Sequence, residues 1–146
     1  MAAVRQARVV WEGDLSSGRG TVDAVSSKRF TGLAVSWAAR TEAPKGQTSP
    51  EELLAAAHAS CFAMALSAGL SGGGTPPTRL EVTATVTFEK VGESWTVVSS
   101  VLEVSGTVPG LDAAGFAKAA EGAKDGCPIS RALAGNVRLS VKPTLA

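Results

Sequence analysis

The sequence has no tyrosine, one histidine and two cysteines, and the last two scarcities narrow what the chain can do. Two cysteines and a single histidine make a poor metal set, because structural zinc takes four ligands. Net charge is also small. Fourteen basic against 13 acidic side chains leave +1, so there is no electrostatic reason to expect nucleic acid or a membrane surface as partner. No glycine-rich segment follows a strand in the arrangement that cradles phosphate; Gly72-Gly73-Gly74 ends a helix instead. No serine sits on a strand-to-helix nucleophile elbow, which sets aside Ser-His-Asp chemistry. Met1 to Gln6 carries no apolar signal-peptide core, and Leu53 to Leu70, the nearest approach to a membrane span, is interrupted by His58, Ser60, Cys61 and Ser67. The expected location is the cytoplasm, where a permanent disulfide is unusual and a transient one is functional.

Against that background the two cysteines stand out. Cys61 lies inside the apolar Leu53–Leu70 segment, which reads as a buried helix, and Cys127 lies in Asp125-Gly126-Cys127-Pro128, a turn that opens another. A thiol at a helix start feels the positive end of the helix dipole, which favours thiolate. Two such residues, far apart in sequence and with no third, suggest a pair that opens and closes. They do not form the Cys-x-x-Cys of a general thiol-disulfide oxidoreductase.

The remaining pattern is α+β. Ala7–Trp11, Thr21–Val25 and Phe30–Trp37 read as strands, the first two separated by a turn at Gly18-Arg19-Gly20 and the third ending near Arg40. Ser49 as N-cap, Pro50 at the first helical position and Glu52 closing a capping box mark the start of the long helix. Leu80–Phe88 alternates strictly and pairs with Trp95–Val104 through a connection of four to six residues. Asp112 caps a helix running to about Lys124, a short helix follows Cys127, and Val137–Val141 closes as a strand. With no repeat and no linker, residues 1–146 read as one domain of antiparallel sheets around a long buried helix. A helix apolar on every face must be buried on every face, so a second protomer is expected to complete the cover.

A buried, inert cysteine is among the commonest fates of a free thiol, and burial raises its pKa. At a reference value near 8.5 only about 3% is thiolate at neutral pH, so reactivity requires a positive neighbour. His58, one helical turn before Cys61, is one candidate; its alternative role is a core histidine bonded to backbone. Arg40 is the other, always charged and close in sequence to Glu51. Glu51, which capping explains only in part, is separated from Cys61 by about ten residues, roughly 15 Å of straight helix. Either the Arg40 side chain spans that gap, or the Glu51–Arg40 pair reaches the cysteine of a second protomer.

Trp11-Glu12-Gly13-Asp14, Ser49-Pro50-Glu51-Glu52-Leu53, Ala56-Ala57-His58-Ala59-Ser60-Cys61-Phe62 and Gly126-Cys127-Pro128-Ile129-Ser130 together resemble the OsmC/Ohr family of osmotically inducible and organic hydroperoxide resistance proteins, on the OsmC side. The resemblance implies an intertwined homodimer with two active sites at the subunit interface. It also implies a cysteine-based, peroxiredoxin-like hydroperoxide reductase with no metal or organic cofactor. By motif, Cys61 matches the peroxidatic cysteine, Cys127 the resolving one and Glu51 the catalytic glutamate. Arg40 matches the catalytic arginine, with Arg29 as a possible substitute because the loop after Arg40 is about one residue longer than the family pattern. The implied partners are a hydroperoxide and an external dithiol of lipoyl or thioredoxin type. Apolar walls from Phe62, Met64 and Trp37 would favour an organic hydroperoxide. The alternative is a non-catalytic ligand-binding protein of the same fold with a dimer-interface pocket, which would have no need of these four residues.

Overall fold

The computed structural model describes residues 1–146, which divide into two compact units, Met1–Leu53 and Leu54–Ala146. In the first, β1 (Ala7–Glu12), β2 (Arg19–Ala24) and β3 (Leu33–Val35) form an antiparallel sheet in that order. The turn between β1 and β2 falls earlier than Gly18-Arg19-Gly20. The Asp14 carboxylate accepts from the Ser17 amide at 2.7 Å and the Ser17 hydroxyl at 2.8 Å, which folds the chain back before Arg19. Gly20 then lies in β2 opposite Trp11, where a Cβ would come within 2.8 Å of the indole.

The third strand is shorter than its sequence suggests. Ser36 ends it by acting as N-cap, its Oγ accepting from the Ala39 amide at 3.2 Å, and α1 (Trp37–Thr41) follows. Arg40 therefore sits on a helix rather than at a strand end.

α2 (Pro50–Gly72) starts in the first unit and continues into the second. There β4 (Arg79–Val91) and β5 (Ser94–Thr107) form a long antiparallel hairpin joined by Gly92 and Glu93 alone. Gly92 takes a positive φ of 59°, and this shortens the connection below the expected four to six residues. α3 (Ala113–Gly126) is capped by Asp112, whose Oδ1 accepts from the Gly115 amide at 2.8 Å. α4 (Pro128–Leu133) and β6 (Arg138–Leu145) follow. β6 adds to β5 in parallel, so this sheet, β4-β5-β6, is mixed where an antiparallel one was expected. The physical reason is the crossover through α3 and α4, which returns the chain to the end of the sheet from which β5 began.

The core of the second unit joins Phe62, Leu66 and Leu70 of α2 to Leu102 and Val104 of β5 and Phe116 of α3. On α2 the buried residues His58, Phe62, Leu66 and Leu70 recur every four positions, while Ala56, Ser60, Met64 and Ala68 form an exposed stripe. Met64 is 68% exposed, so burial on every face is not achieved within one protomer. By length and composition α2 could cross a membrane, but its buried stripe is seated in this core, as in a core helix of a globular unit.

Gly106 of β5 makes the contact with α3 possible. A Cβ there would lie 2.5 Å from Cζ of Phe116 and 3.1 Å from Cδ2 of Leu80, and its φ is not positive, so any cost of substitution arises from packing. Gly106→Ala is expected to destabilise the protein by about 1–3 kcal/mol, read as a lower urea midpoint at unchanged slope.

Candidate active site

The start of α2 is built around Ser49, whose hydroxyl oxygen accepts from the Glu52 amide at 3.1 Å. The Glu52 carboxylate does not close the expected capping box on Ser49; it accepts from the Thr48 hydroxyl at 2.7 Å. Glu51 turns to Arg40. Arg40 Nε donates to Oε1 and Oε2 of Glu51 at 3.0 and 3.1 Å, and Nη2 donates to Oε1 at 2.7 Å. The Glu51 side chain is only 9% exposed and that of Arg40 30%. The guanidinium carbon also stands 5.9 Å from the Trp37 ring centre, within cation–π range. Charge-assisted bonds of this kind fix the plane of a group that never loses its charge. Arg29, the other arginine considered, is exposed between β2 and β3. Within the same unit a cleft of about 370 Å³ is lined by Val9, Trp11, Val35, Trp37, Leu53 and Arg40, among others. It is apolar apart from the guanidinium and Ser36.

In the second unit the two thiols meet. Cys127 is fully buried and links two helices: its amide bonds Ala123 O at 2.9 Å as α3 ends, and its carbonyl accepts from Arg131 at 2.9 Å as α4 begins. Cys61 packs against the same core, half-buried, and both thiols are free and hydrogen-bonded to each other. Burial pushes the Cys61 thiol up, and its bond to Cys127 adds to this, while the Ile129 amide acts in the opposite direction. Burial also pushes Cys127 up, but the Cys61 thiol, the Ser130 amide and hydroxyl and the Ile129 amide outweigh it, and the net shift is down. The two thiols are thus shifted in opposite directions, and none of the groups acting on the Cys61 sulfur is a cation.

His58 is fully buried and faces neither backbone nor solvent. Its Nδ1 lies 2.7 Å from Oγ of Ser100 on β5, and its Nε2 lies 2.8 Å from Oγ of Ser130 on α4. Burial lowers its pKa and keeps the ring neutral.

Residues 42–142 match the family described as OsmC-like protein. The chain belongs to the OsmC-like family. It is 38% identical over 139 residues to peroxiredoxin OsmC of Escherichia coli K12, covering 95% of this chain and 96% of that protein. The organic hydroperoxide resistance protein OhrB of Bacillus subtilis has a similar fold, with a TM-score of 0.74 at 23% identity over 95% of this chain and 98% of that one. An organic hydroperoxide resistance protein from Elizabethkingia anophelis gives 0.74 at 22% identity, covering 99% and 100%.

The matched span contains Glu51, Cys61 and Cys127 and begins just after Arg40. In this OsmC-like chain the predicted residues fall into two pairs, Arg40 with Glu51 in one unit and Cys61 with Cys127 in the other. The expected apolar walls are not found as a set. Phe62 is sealed in the core and Met64 is exposed; Trp37 alone lines the cleft. Sequence reasoning missed Ser100 and Ser130. The available signals were the spacing of Ser130 three residues after Cys127 and the two adjacent serines, Ser99 and Ser100, inside an otherwise apolar stretch of strand.

Proposed function

We propose that this OsmC-like protein is a thiol-dependent peroxidase that reduces organic hydroperoxides through Cys61, with Cys127 as resolving cysteine. The observation that carries the reading is the contact of two free thiols in one core, one of them half-exposed. The 38% identical relative named peroxiredoxin OsmC supports the peroxide chemistry.

In the proposed cycle the Cys61 thiolate attacks the terminal oxygen of the hydroperoxide. An S–O bond forms as the O–O bond breaks, and the leaving alkoxide takes up a proton to become an alcohol. The sulfur is oxidised to sulfenic acid. Cys127 thiolate then attacks that sulfur, the S–S bond forms, and hydroxide departs and is protonated to water. An external dithiol, of lipoyl or thioredoxin type, reduces the disulfide by exchange.

Cys61 is raised by burial, so it requires a cation when peroxide arrives. Arg40, held by Glu51, is the proposed source, acting from one protomer on the Cys61 of its partner in a homodimer. The separation of Glu51 from Cys61 along α2, about 15 Å, supports this arrangement. So do the exposed stripe of α2 and the exposed Val9, Val10 and Trp11 of β1, which need cover. The apolar cleft with one guanidinium supports an organic substrate over hydrogen peroxide.

The test is peroxide consumption by the wild-type protein with dihydrolipoamide or reduced thioredoxin, comparing cumene and tert-butyl hydroperoxide with hydrogen peroxide. The organic substrates are expected to turn over faster. No consumption above that of the reductant alone would overturn the enzyme reading and leave a ligand-binding protein.

A further inference from the structure

The disulfide that closes the proposed cycle offers an incoming dithiol two sulfurs, and the fold treats them unequally. Cys127 is fully buried and belongs to the core with Phe62, Leu102 and Phe116. Cys61 packs against that core and is only half-buried. On α2 it stands between the buried stripe of His58 and Phe62 and the exposed stripe of Ser60 and Met64. Thiol-disulfide exchange is a displacement at sulfur, with the attacking, attacked and leaving sulfurs close to one line. An attack on Cys61 therefore comes from the side away from Cys127, and Cys127 is the deeper of the two. An attack on Cys127 would have to come through the side chains that bury it.

Hydrogen bonds hold Cys127 in that buried place. Its amide and carbonyl are engaged at the junction of α3 and α4, by Ala123 O and the Arg131 amide. α4 is only six residues long, and a buried contact ties it to α2: Ser130 Oγ lies 2.8 Å from Nε2 of His58. The other ring nitrogen of His58 lies 2.7 Å from Ser100 Oγ, so α4 is linked through one imidazole to β5 as well. Lifting α4 off α2 to uncover Cys127 would break the first of these buried bonds. Cys61 needs no such movement. It is the sulfur that the hydroperoxide must reach, so the proposed cycle already requires a way in to it, in a dimer as in a single chain.

We propose that the external dithiol attacks the disulfide at the Cys61 sulfur, so that Cys61 carries the mixed disulfide and Cys127 is the leaving thiolate. One thiolate of the reductant forms an S–S bond to Cys61 as the Cys61–Cys127 bond breaks. Cys127 departs with the electron pair and takes up a proton. The second thiol of the reductant, deprotonated, then attacks the reductant sulfur of the mixed disulfide. The reductant leaves as a disulfide, and Cys61 is released as thiolate. Two electrons pass from the dithiol to the cysteine pair, and Cys61 is the attacked or attacking sulfur in both halves of the cycle. The place of this step in turnover rests on the peroxidase reading; the choice of sulfur does not.

The test forms the disulfide in the full-length protein with diamide, which requires no peroxidase activity. The oxidised protein is mixed briefly with excess 2-mercaptoethanol, a monothiol whose first exchange stops at the mixed disulfide. The mixture is quenched into acidic urea containing N-ethylmaleimide, and peptide mass spectrometry locates both labels. At early times the added thiol is expected on Cys61 and the maleimide on Cys127, in about tenfold excess over the reverse pattern. Equal labelling, an excess of the reverse pattern, or failure of diamide to link the two cysteines would overturn the proposal. A second measurement reads access to each thiol alone. Cys127→Ser and Cys61→Ser proteins are treated with dithiobis(nitrobenzoate), and each rate is divided by the rate of the same protein in denaturing urea. Folding should slow the remaining Cys127 by about 100-fold or more and the remaining Cys61 by less than about tenfold, since Cys127 reacts only when the core opens. Equal protection of the two thiols would count against the proposal as decisively as the wrong label. A wild type that consumes no peroxide yet takes the added thiol on Cys61 would fail the peroxidase reading and leave the choice of sulfur standing. One that turns over peroxide but takes the thiol on Cys127 would do the reverse.

Discussion

Cys61→Ser is expected to reduce hydroperoxide turnover to background, a loss on the order of 10⁴-fold or more, as when the nucleophile is removed from other covalent enzymes. A hydroxyl at the same place packs as well and donates the same hydrogen bond, so the fold and the melting temperature should change little. It cannot ionise near neutral pH, and it has no sulfur to carry the oxidation. Cys127→Ser should behave differently. Its first turnover should proceed at nearly the wild-type rate and stop at a sulfenic acid, which dimedone traps and mass spectrometry locates on Cys61. Steady-state turnover then depends on direct attack of the external dithiol on that sulfenic acid, and should become linear in dithiol concentration. Because Cys61 is raised by burial, its reaction rate should climb with pH until the thiol has ionised, and Cys127→Ser should retain this limb. A Cys61→Ser protein that still consumes peroxide would place the chemistry on another group.

The parts of this site that could be read in advance depend on local sequence. Ser49-Pro50 and the glycines after Leu70 bracket α2, and alternation over Leu80–Phe88 marks β4, because caps and periodicity act within a few residues. α1 escaped notice because one hydroxyl, that of Ser36, ends a β-rich run and starts a helix. The parallel direction of β6 has no local signature at all; it follows from the route taken by α3 and α4. The same holds for the histidine. Its partners lie 42 and 72 positions away in sequence, and only the packing of α2 against β5 and α4 brings them together. Two cysteine motifs suggested a pair, but the opposite shifts of the two thiols depend on amides of α4 and on burial, and neither is visible in the motif.

Arg40→Ala is expected to lower kcat/KM for organic hydroperoxide by about 10²–10³-fold, the loss that follows removal of a preorganised charge from a reacting centre. Arg40→Lys should recover little, because an ammonium cannot form the fork that engages both Glu51 oxygens. Stability offers an independent check on the geometry. Arg40→Ala leaves a carboxylate that is 9% exposed without its partner, which should cost up to about 3 kcal/mol, less than for a fully buried pair because Arg40 is 30% exposed. Adding Glu51→Gln should recover most of that stability and none of the activity. Mixing then decides which cysteine Arg40 serves. Neither Arg40→Ala nor Cys61→Ser is active alone, but a dimer of one copy of each, isolated by two affinity tags after co-expression, contains one intact Arg40 and one intact Cys61 on different chains. If the arginine acts across the dimer, one of its two sites is whole and activity returns to about half the wild-type value. If each chain serves itself, both sites lack a component and the mixed dimer stays inactive, which would mean that Arg40 spans the gap to Cys61 within its own chain.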